Sequence, residues 1–289
     1  MQKIFLAEPR GFCGGVRRAI EILEKNLQKF GPPIFVNHQI VHNKFLVENF
    51  KKRGVIFSEN LKKIPENSKI IFSAHGVSPI FREKCQQKNL QIFDATCPIV
   101  QQIHEKIKIL IKKNFQIFYV GQKNHQEFRG ISGISKNIFL IENEISARKI
   151  LQKNFEKKIA VLTQTTLARP KTEKILKILR QIPDAKIENN ICFSTQKRQK
   201  IVEKISKNVD FFLVIGSKNS SNSRRLAEIA RENCPAILCE NAAEIPLKIF
   251  TEKKIGISAG ASVPEILVEN VLQKFCEKNS KIKIEICKI

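Results

Sequence analysis

Asp210-Phe211-Phe212-Leu213-Val214-Ile215 runs directly into Gly216-Ser217-Lys218-Asn219-Ser220-Ser221-Asn222. A continuous apolar run of this length reads as a strand buried on both faces. The small polar cluster behind it reads as a loop that ends in a helix cap. The same unit recurs along the chain. Lys69–Phe72 leads into Ser73-Ala74-His75-Gly76, Gln116–Val120 into Gly121…His125, and Lys158–Leu162 into Thr163-Gln164-Thr165-Thr166. Lys254–Ile257 leads into Ser258-Ala259-Gly260-Ala261-Ser262. Short strands alternating with amphipathic stretches such as Ile103–Lys113 and Lys171–Arg180 predict βαβ units, hence an α/β fold with parallel sheets. In such sheets ligands lie beyond the C-terminal strand ends, where helix N-termini offer free N–H groups. One polar loop would be read as capping alone; five of them suit a polar, anionic ligand.

A second periodicity sits on the cysteines. Cys13-Gly14-Gly15-Val16, Cys97-Pro98-Ile99-Val100 and Cys192 before Ser194 each open an amphipathic stretch, 84 and 95 residues apart (97 − 13 and 192 − 97). That spacing predicts three similar α/β modules, 1–96, 97–191 and 192–289, each with one Cys at a helix start. A helix N-terminus favours thiolate. Three converging thiolates suit an iron–sulfur cluster with one iron open, or a three-Cys zinc; three inert buried thiols are the alternative. No Cys-x-x-Cys occurs, which argues against a zinc finger or a thioredoxin-type site. Cys85, Cys234, Cys239, Cys276 and Cys287 lack such flanks and read as packing residues.

The chain has 289 residues and a formal charge of +24, from 51 Lys+Arg against 27 Asp+Glu. Its 42% apolar residues suffice for packed cores, and no window approaches a membrane span. Met1–Gly15 reaches Cys-Gly-Gly too soon for a signal peptide, so a soluble, cytoplasmic protein is expected. The charge resembles a nucleic-acid footprint, but only 13 of the 51 basic residues are Arg and they form no basic motif. Lysine drift on solvated helix faces accounts for it better, and neither nucleic acid nor membrane is expected as a partner.

Among the five histidines, His75 and His125 lie on strand-end loops and lean toward anion binding. His42 follows Ile40-Val41, His38 reads either way, and His104 is expected on the solvent face of a polar helix. Glu127, two residues after His125, is a candidate proton donor, because a desolvated carboxyl has a raised pKa.

Together these segments resemble one family, the 4-hydroxy-3-methylbut-2-enyl diphosphate reductases of the non-mevalonate isoprenoid pathway. The matching stretches are Pro9–Val16, Ile40–Asn43, Phe72–Val77, Phe93–Pro98, Thr163–Leu167, Asn190–Phe193 with Arg198-Gln199, Gly216–Ser223 and Ala259–Ser262. They occur in the family's order and span nearly the whole chain.

The resemblance implies three modules in a pseudo-threefold arrangement around one [4Fe–4S] cluster, with Cys13, Cys97 and Cys192 as ligands. His42, His75, His125, Ser220, Ser221, Asn222 and Ser262 match the diphosphate-binding set. Thr165 matches a residue beside the substrate hydroxyl, and Glu127 the acid that delivers a proton. The implied reaction takes two electrons and two protons, expels the hydroxyl of (E)-4-hydroxy-3-methylbut-2-enyl diphosphate as water, and yields isopentenyl or dimethylallyl diphosphate. A ferredoxin- or flavodoxin-type donor is implied. One segment departs from the pattern. Where the family reads Gly-His-x-x-His-Pro-Glu-Val, this chain has Gly121-Gln122-Lys123-Asn124-His125-Gln126-Glu127-Phe128. Loss of the Pro predicts a looser backbone just before Glu127.

Overall fold

The computed structural model describes residues 2–153 and 155–288. The chain begins with β1 (Lys3–Ala7), α1 (Gly14–Phe30), β2 (Ile34–Asn37), α2 (Lys44–Lys52), β3 (Val55–Phe57), β4 (Lys69–Phe72), α3 (Pro79–Gln87) and β5 (Gln91–Asp94). It continues with α4 (Pro98–Lys112), β6 (Gln116–Val120), α5 (Gln126–Ser132), β7 (Ile138–Ile141), α6 (Glu144–Leu151), β8 (Ile159–Thr163), α7 (Arg169–Leu179) and β9 (Lys186–Ile187). Then come α8 (Phe193–Ser206), β10 (Phe211–Ile215), α9 (Ser221–Arg231), β11 (Ala236–Cys239), β12 (Lys254–Ala259), α10 (Glu265–Lys278) and β13 (Lys283–Cys287). No helix is long and apolar enough to cross a membrane among these residues.

The strands form three parallel sheets, in the orders β3-β2-β4-β5, β7-β6-β8-β9 and β11-β10-β12-β1-β13. Numbered within each module, the order is second-first-third-fourth all three times. In the last sheet β1 is inserted between the third and fourth strands. Each module is preceded by one Cys-led helix: α1, α4 or α8. The fold is thus α/β with three similar modules. Strand β1 lies in the 1–96 segment but pairs with β12 (Ile4↔Ile255) and β13 (Ile4↔Ile284). Its alternation explains this. Ile4 and Leu6 enter one apolar cluster with Ile257, Val268 and Phe275, while Ala7 enters the opposite one with Val202, Phe212 and Leu226. A strand apolar on both faces is stable only in a sheet interior.

The chain divides into two compact units. One comprises Met1–Gly14, His42–Lys44 and Cys192–Ile289, with the five-stranded sheet. In it α10 packs on one face through Val268, Val271 and Phe275. Helices α8 and α9 pack on the other through Ile201, Val202, Leu226 and Ala230. The other unit comprises Gly15–Val41 and Phe45–Ile191, with both four-stranded sheets. Its second sheet is likewise covered on both faces: Ile103 and Ile107 of α4 meet Ile117 and Leu162, and Ile175, Leu176 and Leu179 of α7 meet Phe118 and Val161.

Candidate functional site

Within the Gly15–Ile191 unit, polar residues gather where β4, β6 and β8 end. Helix α5 starts at His125, whose φ/ψ of −82/141 is that of a cap and whose Nδ1 accepts the Glu127 N–H at 3.2 Å. A histidine thus performs the capping usually done by Ser or Asp. The side chain two residues on is turned inward: Glu127 is only 3% exposed. Its carboxyl Oε1 lies 2.6 Å from Thr165 Oγ1, and its Oε2 accepts the Thr165 N–H at 3.0 Å and the Tyr119 hydroxyl at 3.4 Å. Burial raises the pKa of Glu127, and the Thr165 and Tyr119 donors only partly oppose it. Glu127 is therefore a carboxyl poised to carry a proton, and Thr165 is the hydroxyl in contact with it.

His75, in the turn after β4, has its ring centroid 6.3 Å from that of His125 and 6.0 Å from that of His38. His38, ambiguous in the sequence, therefore ends a file of three imidazoles. It holds a left-handed φ of 55° that non-glycine residues seldom adopt, and its Nδ1 lies 2.5 Å from Glu59 Oε1. Gln126, at the position of the missing Pro, sends its amide to Glu59 Oε1 at 3.5 Å, the carboxyl oxygen that His38 Nδ1 also meets, and Arg129 pairs with Glu59 at 3.5 Å. The expected looseness is thus offset: a side-chain latch ties the first turn of α5 to the residues following β2 and β3.

Cys97 is the cap residue of α4, half-buried, with its N–H on Ala74 O at 3.0 Å. A Cβ on Gly15 would lie 2.6 Å from the Cys97 sulfur, so only glycine fits there. Arg18 of α1 donates to Thr96 O at 3.0 Å, holding α1 against the Cys97 strand end. His104 corrects the expectation of a solvent face: it is 9% exposed, its ring against Gly76 and Gly130, with its pKa lowered to about 4 mainly by burial.

In the other unit, Cys13 immediately precedes α1 and Cys192 caps α8, its sulfur accepting the Thr195 N–H at 3.3 Å. Both interact electrostatically with the Arg198 guanidinium, which is 2% exposed, donates to Gly11 O at 2.7 Å and has an unpartnered Nε.

Ser220 caps α9, accepting the Ser223 N–H at 3.3 Å, and Ser221 and Asn222 form its first turn. They are 5%, 2% and 4% exposed, and neither amide atom of Asn222 has a hydrogen-bond partner. A buried amide without a partner at a helix N-terminus is a polar group that a ligand there could satisfy. The Cα atoms of Gly216 and Gly260 press on Ser223 Oγ, leaving no room for a Cβ at either. Ser262 Oγ donates to His42 O at 2.9 Å, which fixes the half-buried His42 beside the third strand end.

Sequence reasoning missed Tyr119, Arg198 and the Glu59 latch. Arg198 stood inside a quoted motif, and Tyr119 was marked only by being the chain's sole tyrosine. Nothing local pointed to Glu59. Of the five cysteines read as packing residues, Cys85 and Cys239 are buried, with burial pushing their thiols up to about 11 and about 12, whereas Cys276 is exposed on α10. No three His, Cys, Asp or Glu side chains among the described residues are gathered tightly enough to hold a single metal ion.

Fold and site define a class: a parallel α/β protein of three repeated modules, with cysteines at helix starts and anion-type loops at strand ends. Within that class, the chain belongs to the LytB family, whose model, described as LytB protein, matches residues 4–276. A 4-hydroxy-3-methylbut-2-enyl diphosphate reductase of Nitrosomonas europaea is 44% identical over 283 residues, covering 95% of this chain and 87% of that protein. The reductase of the same name from an Azoarcus species is 42% identical, covering 94% and 89%. Among solved structures, the E-1-hydroxy-2-methyl-but-2-enyl-4-diphosphate reductase of Plasmodium falciparum superposes with a TM-score of 0.94 at 33% identity, covering 99% of this chain and 91% of that one.

Proposed function

We propose that the chain reductively dehydroxylates (E)-4-hydroxy-3-methylbut-2-enyl diphosphate to isopentenyl and dimethylallyl diphosphate, the final step of the non-mevalonate isoprenoid pathway. The observation that carries this reading is a half-buried cysteine at the start of each module's leading helix, in a chain of this family. The donor chemistry fits an anionic iron–sulfur group: Cys192 accepts a backbone N–H, and a buried guanidinium attends Cys13 and Cys192. A [4Fe–4S] cluster, one per chain and held by Cys13, Cys97 and Cys192, would supply electrons singly and an open iron for the substrate hydroxyl.

The protein's own groups do the rest. Ser220, Ser221 and Asn222 at the α9 N-terminus, with Ser262, His42, His75 and His125, take the diphosphate. That anchors the allyl group and removes most of its freedom before reaction. Glu127, whose pKa burial raises, gives its proton through the Thr165 hydroxyl to the departing oxygen. Two electrons and two protons enter, the C–O bond breaks, water leaves, and the second proton goes to carbon. A ferredoxin- or flavodoxin-type donor supplies the electrons, and the cytoplasm is the compartment. The modules divide at 96/97 and 191/192, with β1 lent to the third.

Anaerobic purification tests the reading. The protein is expected to be brown, with a broad band near ~400 nm, about four irons per chain, and turnover of the hydroxylated C5 diphosphate with a reduced viologen. Cys13→Ser, Cys97→Ser and Cys192→Ser each lose the colour, and Cys276→Ser keeps it. A colourless protein after reconstitution, or equal loss in Cys276→Ser, overturns the assignment.

A further inference from the structure

Tyr119 ends just short of the β6 terminus and is the only tyrosine in a sequence with 20 phenylalanines and no tryptophan. It is fully buried among Ile107, Ile117, Ile131 and Leu162, and its ring stacks on Phe128 at 5.9 Å and 20°. A phenylalanine would satisfy every one of those contacts. A buried hydroxyl is costly unless it is hydrogen-bonded, so the extra oxygen needs a reason. Its hydrogen bond goes to Glu127 Oε2.

The two oxygens of Glu127 are not equivalent. Oε2 faces the Thr165 N–H at 3.0 Å, which only donates and so marks it as the accepting oxygen, and the Tyr119 O–H, which donates to the same oxygen at 3.4 Å. Oε1 faces the Thr165 hydroxyl at 2.6 Å, which both donates and accepts. The groups against the carboxyl are therefore Tyr119 from β6, Thr165 from the loop after β8, and His125 from the start of its own helix. We propose that Tyr119 is a positioning residue: with the Thr165 N–H it keeps Oε2 the accepting oxygen, and so holds the carboxyl proton on Oε1, against the Thr165 hydroxyl. This rests on reading Glu127 as the proton donor. It adds what orients the proton.

Infrared spectroscopy of the anaerobically purified protein without substrate tests it, with Glu127→Gln as the blank that isolates the Glu127 band. In Tyr119→Phe, which keeps the ring packing, the carboxyl C=O band moves to higher wavenumber because one donor is gone. The titration of that band moves up by about half to one pH unit, since hydrogen bonds favour the charged form. The basic limb of kcat moves the same way, with KM unchanged. Because the tyrosine is unique, growth on 3-fluorotyrosine replaces this one phenol with a stronger donor without removing an atom from the core. The band and its titration then move in the opposite direction. An unmoved band and titration in both proteins overturn the proposal. The infrared measurement needs no turnover, so a protein inactive on the C5 diphosphate overturns the function and leaves this test standing.

Discussion

At the scale of the residue, Glu127 concentrates the chemistry, and its protonation has a thermodynamic sign. Its pKa in the fold lies above the ordinary carboxylate value because the carboxyl is buried. The folded chain therefore binds this proton more tightly than the unfolded one. That stabilisation is complete below the unfolded value and is lost as pH rises through the folded one. Glu127→Gln removes the ionisation. Its amide oxygen accepts from Thr165 N–H and Tyr119, and its NH2 faces Thr165 Oγ1, so it imitates the protonated acid. We expect the variant to match the parent in stability near pH 4 and to exceed it at pH 8, as denaturant titrations would read. Turnover falls by roughly 10²–10⁴-fold while the cluster and substrate binding remain. Undiminished turnover removes Glu127 as the acid.

At the scale of the element, the start of α5 is where this chain departs from the family pattern. Proline at the first helical position presets φ and sacrifices no hydrogen bond. His125, at ψ 141°, already has the extended backbone that a residue before proline requires. The Gln126 side chain secures the same turn instead through Glu59, the carboxyl that also holds the His38 ring. Gln126→Pro should therefore keep full turnover and gain ~0.5 kcal/mol of stability. Gln126→Ala, with neither latch nor preset backbone, should lose about 1 kcal/mol and turn over more slowly. If the alanine variant performs as well as the parent, the latch has no role.

His104 joins α4 to the turn at Gly76 and to α5 at Gly130. Its pKa falls from 6.5 to about 4, so the fold requires the neutral ring. The stability it confers is present above pH 6.5 and lost as pH falls toward 4, on the order of 3 kcal/mol over that window. Denaturant titrations at pH 7 and pH 4.5 should show a smaller acid loss in His104→Gln than in the parent. Equal losses would mean that His104 is not the titrating group.

At the scale of the whole molecule, the charge of +24 is spread over exposed lysines, only some of them in weak surface pairs such as Lys51–Glu48 and Lys207–Glu203. On the proposed reading the strand-end loops hold the diphosphate through neutral donors and histidines rather than through the net charge. An acidic electron-donor protein is the partner that would feel it. We expect the apparent KM for such a donor to rise several-fold between ~20 and ~200 mM salt, with the KM for the diphosphate less affected. A donor KM insensitive to salt removes this role from the charge.

The local patterns of the chain determined much of this protein. Continuous apolar runs made parallel strands, Gly/Ser/Asn clusters made the strand-end loops, and each of Cys13, Cys97 and Cys192 fell at a helix start. Such features depend on residues within one turn or one strand, which is why they are legible in order along the chain. Tertiary structure alone decided the rest. It lent β1 to the last sheet, because a strand apolar on both faces needs two neighbours, and these lie some 250 residues away. It buried His104, whose surroundings on α4 look polar in sequence. It brought the Tyr119 phenol and Thr165 onto one carboxyl, and Glu59 onto Gln126. Desolvation and hydrogen-bond partnership are properties of a packed neighbourhood, and two of those three contacts join residues 38 and 67 positions apart.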